Sequence, residues 1–293
     1  SSIVNRTWYV FVDHRWKLDK GFSLRNKISE DMFYLYREKQ QELLEEMADV
    51  ESGSDEYIEY KNKSKVYSEV CARFKKTNDK NNIYKEVHEL FYDEYFVKHM
   101  DENRYLLCCA NGIIDLKNNV FRAGYPQDYI TKSTHVDYLG KDLSEYQDIV
   151  DEIKDFIEKI IPIKTLNKYF WDHLASSLIG ENRNQSFNIY RGSGSNGKSL
   201  FTELMEYVLG EYYGSVPVNL ITDKRTAIGG TSSEIMALKG VRYAVLQEPT
   251  KGMQMNEGLM KQLTGDSKMQ GRALYSETES FAIQFDLVVC CNT

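Results

Sequence analysis

The 293-residue sequence holds only 4 Pro, 5 Cys and 5 His. Scarce proline, with 42% hydrophobic and 28% charged residues, excludes collagen-like and disordered classes and fits an ordinary globular chain. Cys71, Cys108, Cys109, Cys290 and Cys291 form two adjacent pairs and a singleton without C-x-x-C spacing. That rules out a disulfide framework or zinc knuckle and leaves buried reduced thiols. His14, His88, His99, His135 and His173 lack any H-x-x-x-H spacing, so no structural metal is indicated. No apolar run reaches the roughly 18 residues of a membrane span, and the start lacks a basic-then-apolar secretory layout. A soluble intracellular chain without a membrane partner is expected. An excess of positive charge is missing too. The net charge of −7 argues against a sequence-independent DNA coat and leaves room for a local basic channel. With no initiator Met, and with Cys291-Asn292-Thr293 ending the chain straight after an apolar run, the sequence reads as an excised piece.

What is present changes character along the chain. Residues 7–16, aromatic and alternating, predict a short strand or hairpin before a turn near Lys17 to Gly21. Ser29-Glu30-Asp31 reads as the start of a helix reaching Val50, and two amphipathic helices follow, over 56–76 and 82–100, with the polar TNDKN stretch between them. After Arg104 come YLLCCA, an Asn111-Gly112 turn, IIDL, a second turn at Lys117 to Asn119, and VFRAG, a small β-meander. Helical pattern returns over 143–161 and 164–179 and closes at Gly180. The expected division is a helical and β-meander collar or linker domain over 1–146, then a helical pair and ATPase core over 147–293.

Phe187 to Tyr190 reads as a strand, LFTELMEYVL as a helix, and between them lies Gly192-Ser193-Gly194-Ser195-Asn196-Gly197-Lys198-Ser199. This is G-x-x-x-x-G-K-S in its required strand-to-helix context, the signature of a P-loop. Its glycines let backbone N–H groups turn toward phosphate, and the following helix adds its positive end. Lys198 is then expected to reach the β- and γ-phosphates of ATP, and Ser199 to offer its hydroxyl to Mg²⁺.

Three further segments fit an ATPase. Val241 to Leu246 is an apolar strand running into Gln247-Glu248-Pro249, which makes Glu248 the candidate base and metal-polarising carboxylate, acting on Mg²⁺ through a water. A helix over 256–263 and a turn at Thr264-Gly265-Asp266 lead to Lys268 and Arg272, which straddle Gly271 in what reads as a hairpin tip suited to gripping a nucleic-acid backbone. Phe285 to Cys291 is a buried-type strand that delivers Asn292 to the ligand end of an open sheet.

In order, GSGSNGKS, VLQEP, KQLTGDSKMQGRALY and LVVCCNT resemble motifs A, B, B′ and C of superfamily 3 helicases, and within them the primase-helicase group of large nucleocytoplasmic DNA viruses, phages and plasmids. Asn111 to Leu116, Gly124, Pro126, Asp128 to Thr131 and Val136 to Tyr138 resemble the N-terminal domain of that group. The resemblance implies an α/β, AAA+ type P-loop core preceded by a helical and β-meander module, working as a hexameric ring that translocates on DNA during viral replication in the host cytoplasm. It assigns Lys198 and Ser199 to motif A, Glu248 to motif B and Asn292 to the sensor of motif C. Lys268 and Arg272 become candidate DNA contacts on the motif B′ hairpin. It also implies a primase domain upstream and replication-protein partners. Gln247 stands where many relatives carry an acid.

Family members continue beyond motif C to a strand and an arginine finger worth roughly 10³ to 10⁵ in turnover. Unless Arg225 or Arg242 substitutes, this piece is expected to bind nucleotide and hydrolyse it poorly. Two rivals stand beside the helicase. A small-molecule kinase is disfavoured because residues 211–240 lack an Arg-rich lid. A non-catalytic module whose ATP site only locks a ring stays open.

Overall fold

The computed structural model describes residues 7–222, 232–247, 254–272 and 278–292. The chain divides into two compact units, residues 1–10 with 17–98, and residues 11–16 with 99–293.

In the first unit the expected turn lies elsewhere. Strands β1 (Trp8–Val12) and β2 (Arg15–Asp19) form a hairpin whose turn is Asp13 and His14, at φ of 51° and 64°. Two consecutive left-handed residues match the right-handed twist of the strands. The segment Lys17 to Asp19, expected to turn, is extended, and the hairpin tip groups with the second unit. Helix α1 (Phe22–Lys27) starts after Gly21, whose φ is 82°. A π-helical turn, Ile28–Met32, joins it to α2 (Phe33–Ala48), so the cap-like Ser29-Glu30-Asp31 lies inside a helix. Helix α3 (Asp55–Lys75) is capped by Ser54, whose hydroxyl accepts from the Tyr57 N–H at 3.1 Å. The TNDKN stretch forms the first turns of α4 (Thr77–Leu90) rather than a linker, and a break precedes α5 (Phe96–His99). Ile28, Cys71 and Phe74 are buried here, and Tyr36 packs edge-on against Tyr67 and Phe74.

The second unit contains the meander as expected, β3 (Leu106–Cys109), β4 (Gly112–Asp115) and β5 (Val120–Arg122), antiparallel in that order. Helices α6 (Gln147–Ile160) and α7 (Lys164–Ser177) follow. Next come β6 (Phe187–Gly192), α8 (Lys198–Leu209), β7 (Tyr213–Val216), α9 (Val218–Thr222), α10 (Ser233–Met236) and β8 (Tyr243–Gln247). Helix α11 (Glu257–Gly265), strands β9 (Lys268–Arg272) and β10 (Thr278–Ala282), and β11 (Asp286–Asn292) complete it.

Strands β6, β11, β8 and β7 lie side by side in that order, all parallel. Parallel sheets bury both faces, and the alternation in β8 and β11 shows it. Ala244, Leu246, Leu287 and Val289 face one core with Leu263, Met269 and Phe281. Tyr243, Val245, Val288 and Cys290 face the other, with Ile157, Phe170, Phe201 and Met205 from α6, α7 and α8. The meander joins this second core through Leu107. Buried Tyr212 links the two by accepting from the Cys108 N–H at 3.1 Å and donating to the Lys132 carbonyl at 3.2 Å.

Two glycines are explained by packing rather than by turns. Gly180 is needed because a Cβ there would meet the Arg242 guanidinium. Gly271, expected at a hairpin tip, lies inside β9, and its Cβ would lie 2.6 Å from the Met236 sulfur. The residues joining β9 to β10, 273–277, lie outside the described residues. No helix among the described residues is long and apolar enough to cross a membrane.

Candidate functional site

The glycine-rich segment leaves β6 at Gly192 and enters α8 at Lys198. Between them the backbone turns through left-handed values at Gly194 (φ 95°), Ser195 (φ 47°) and Gly197 (φ 82°). Gly197 answers a second demand besides φ, because a Cβ there would lie 2.7 Å from the Ile160 Cγ2 of α6. At Gly192 a Cβ would overlap the Asn196 side chain, so that glycine lets the loop close on itself. The loop thus wraps the N-terminus of a 12-residue helix, where unpaired N–H groups and the helix dipole favour an anion.

Lys198 adds a full positive charge. Its Nζ donates to Asn196 Oδ1 at 2.8 Å and to Asn292 Oδ1 at 3.2 Å. Asn292 reaches it because β11 lies beside β6 in parallel register, with Asn292 opposite Gly192. On the other side of β11, Gln247 ends β8 opposite Cys290. These strand ends and the loop line a cavity of about 380 Å³ that includes Gly194 to Ser199, Thr202, Gln247, Cys291 and Asn292. In an open parallel sheet this carboxyl edge is where ligands bind. The cavity combines a helix N-terminus, an ammonium, a hydroxyl at Ser199 and the three amides of Asn196, Gln247 and Asn292, a donor set suited to a polyphosphate.

The structure therefore brings together Gly192, Ser193, Gly194, Ser195, Asn196, Gly197, Lys198, Ser199 and Asn292 at one edge of the sheet. Glu248, the candidate base and metal ligand, lies outside the described residues, as does Arg225. Arg242 is buried, its guanidinium donating to the carbonyls of Asn103, Arg104 and Leu106, so it is not placed to serve as an arginine finger. Lys268 and Arg272 do not straddle a tip; they stand at the two ends of β9, both exposed, paired with Ala282 and Thr278 of β10. Alternation puts Lys268, Gln270 and Arg272 on one solvent-facing side of that strand. The Arg272 N–H and carbonyl both bond Ser232, which pins that end.

Thr202, Cys290 and Cys291 line the cavity but went unread as site residues in the sequence. Thr202 is buried below the loop and its hydroxyl donates to the Ser199 carbonyl at 2.9 Å; its i+3 spacing from Ser199 is the available signal. Cys290 and Cys291 match the expectation of reduced thiols, yet both line the cavity. Burial pushes the Cys290 thiol up to about 11 against the opposing pull of the Lys198 charge, so it is a neutral wall.

At the opposite end of the same strands, Asp286 and His173 are both largely buried, with His173 Nδ1 3.9 Å from Asp286 Oδ2. Burial raises the Asp286 carboxyl to about 6 and lowers His173. The Tyr190 and Tyr243 hydroxyls bond each other at 2.9 Å in the core that also holds Phe201 and Met205 of α8.

A mixed α/β unit with a glycine-rich loop at the carboxyl edge of a parallel sheet defines the class of protein. The chain belongs to the D5 N terminal like family, whose model matches residues 2–161. It is 35% identical over 295 residues to a protein of Acanthamoeba polyphaga mimivirus named as a putative helicase, covering 100% of this chain and 30% of that one. A protein of Invertebrate iridescent virus 3 with the same description is 30% identical over 216 residues, covering 72% of this chain and 23% of that one. A putative primase of African swine fever virus is 22% identical over 304 residues, covering 97% of this chain and 31% of that one. The expected resemblance to the primase-helicase group of large DNA viruses is borne out. The C terminal region of NrS-1 superposes with a TM-score of 0.40 at 15% identity, over 48% of this chain and 32% of its own. The chain spans less than a third of the length of these viral relatives.

Proposed function

We propose that the chain is part of an ATP-driven DNA helicase of the superfamily 3, AAA+ type, with the P-loop core over 147–293 and a collar or linker over 1–146. The observation that carries this reading is the meeting of Lys198 with Asn292, 3.2 Å apart, at the carboxyl ends of adjacent parallel strands. A P-loop lysine beside a neutral polar side chain on the neighbouring strand is the arrangement that detects a terminal phosphate.

In this reading the loop N–H groups and Lys198 hold the β- and γ-phosphates of ATP. Ser199, with Glu248 through a water, holds Mg²⁺, which neutralises charge on the phosphates. Glu248 orients and deprotonates the attacking water, and Asn292 hydrogen-bonds the γ-phosphate or that water. Single-stranded or forked DNA is gripped by Lys268 and Arg272 on the exposed side of β9, so that movement of the β9–β10 hairpin couples hydrolysis to translocation. The working assembly is a homo-oligomeric, hexameric ring in the host cytoplasm, joined to a primase domain and other replication proteins.

The test is ATP turnover with and without single-stranded DNA, on this chain and on one extended beyond residue 293, each also as Lys198→Ala. DNA stimulation seen only in the extended, Lys198-intact protein supports a ring translocase completed by a downstream arginine finger. DNA-indifferent turnover at both lengths sinks the helicase reading. The amide of Gln247, in place of an acid at the end of β8, favours one second reading, an ATP site that locks a ring without turnover. ATP-dependent assembly with no DNA-stimulated hydrolysis would select it.

A further inference from the structure

Helices α6 and α7 cover the face of the parallel sheet opposite the one that β9 packs on: Ile157, Phe170 and Leu174 belong to one core, Met269 of β9 to the other. The two helices and the turn between them border a groove of about 580 Å³. Lys154 of α6 lines it, with Lys164, Lys168 and Trp171 of α7. The last three stand at i, i+4 and i+7, one face of a helix, and Trp171 is 38% exposed. The charges differ in how they are balanced. On α6, Lys154 lies 3.9 Å from Asp151, and Lys159 pairs with Asp155. Lys164 and Lys168 are exposed and pair with no acid among the described residues. Lys164 opens α7, where the helix dipole disfavours a cation and the first turn holds no acid to offset it. Lys168, one turn on, adds like-charge repulsion. Neither charge helps the helix, and a large aromatic ring stands open beside them.

We propose that this groove holds a stretch of single-stranded DNA, with a base stacked on Trp171 and phosphates on Lys164 and Lys168. The inference rests on the reading of the chain as one that works on DNA. It adds a contact across the sheet from Lys268 and Arg272, so a different stretch of strand occupies it. An aromatic ring beside lysines that follow the backbone is how single strands are held without sequence readout. The rest of the lining favours DNA over an acidic peptide. Glu158 and Asp172 stand in the groove with the three lysines, so its net charge is one positive. Those carboxylates repel an acidic peptide but accept from the amino groups of bases. Acidic side chains also offer Trp171 no ring to stack on.

The experiment measures binding of a mixed-sequence single strand to this chain, by anisotropy of a labelled strand and by tryptophan emission with an unlabelled one, over a range of salt concentrations. The variants are Trp171→Ala, Trp171→Phe, Lys164→Ala with Lys168→Ala, and Lys268→Ala with Arg272→Ala, each checked by circular dichroism for a wild-type fold. Wild type should bind with its tryptophan emission quenched. Trp171→Ala should weaken binding about tenfold and lose most of the quench. Trp171→Phe keeps a ring, so it should lose the quench and retain most of the affinity. The lysine pair should lower the slope of log affinity against log salt by about 1.4, at about 0.7 per phosphate contact on a single strand. Binding untouched by the Trp171 and Lys164 with Lys168 variants, yet lost in Lys268→Ala with Arg272→Ala, overturns the groove and leaves the helicase reading standing. Displacement of the strand by polyglutamate at equal affinity makes the groove an acidic-peptide site and overturns the proposal. No binding by wild type overturns it too, and the helicase reading then stands or falls on turnover of the extended protein.

Discussion

Lys198 and Asn292, 94 positions apart in the chain, meet with Nζ 3.2 Å from Oδ1, and the same ammonium lies 2.8 Å from Asn196. The two partners are expected to separate on substitution. If the loop holds ATP, Lys198→Ala removes a charge that both ground state and transition state would use, so nucleotide affinity should fall about tenfold or more. Asn292→Ala removes a neutral amide whose value lies in orienting the reaction, so affinity should change little. Turnover of the extended protein should fall about 10²-fold. Fluorescent-nucleotide titration alongside steady-state turnover checks this; equal loss of affinity in both variants would deny Asn292 its separate role.

Gly194 and Gly197 share left-handed backbone and differ in what surrounds them. A Cβ at Gly194 meets nothing within 4 Å, whereas one at Gly197 lies 2.7 Å from Ile160. Gly194→Ala should therefore cost about 1 kcal/mol, the backbone penalty alone. Gly197→Ala adds overpacking against α6, for a total of about 2–4 kcal/mol. Urea unfolding of the two variants distinguishes them, and equal losses would mean that α6 yields freely.

The loop, its flanking strand and helix, and the strand carrying Asn292 were legible because each is encoded within a short run of residues. Turn glycines at fixed spacing, an apolar run before them and an amphipathic run after them suffice. What was not legible depends on distant partners. Gly271 reads as a turn, yet it pairs with Glu279 of β10 inside a strand, and the glycine is there because a Cβ would meet Met236, 35 positions away. Ser29-Glu30-Asp31 has the order of a helix cap, but the chain is already helical from Phe22, and the residues fall in a π turn. Asp13 and His14 make the hairpin turn without a glycine, so local composition pointed instead to Gly21.

Arg242 gives a prediction about role as well as stability. Its buried guanidinium serves the carbonyls of Asn103, Arg104 and Leu106, tying the start of β3 to the start of β8. Arg242→Ala strands those carbonyls, and the loss should be about 3–5 kcal/mol. Arg242→Lys should recover only part of it, since one ammonium cannot reproduce the planar fork. At a temperature where the extended variant is still folded, its turnover per folded molecule should be near wild type. A selective loss of turnover with unchanged stability would return Arg242 to the catalytic machinery.

Asp286 predicts how stability follows pH. Burial at the start of β11 raises its carboxyl from 3.8 to about 6, and among the described residues no lysine or arginine pairs with the charged form to offset that burial. The neighbouring Tyr190 and Tyr243 hydroxyls are pushed up by burial and His173 is pushed below 6.5, so all three are neutral near pH 7. Because the folded carboxyl is raised above its unfolded value, its favourable contribution is complete below about pH 4 and is lost as pH rises through about 6. At pH 7.5 the ionised carboxylate then costs the fold up to about 3 kcal/mol, from roughly two pKa units at 1.36 kcal/mol each. Asp286→Asn, which cannot ionise, should be more stable than wild type at pH 7.5 by an amount that shrinks toward zero at pH 4. Thermal unfolding of both proteins from pH 4 to 8 measures the gap; parallel curves across that range would show that the fold does not resist ionisation at this position.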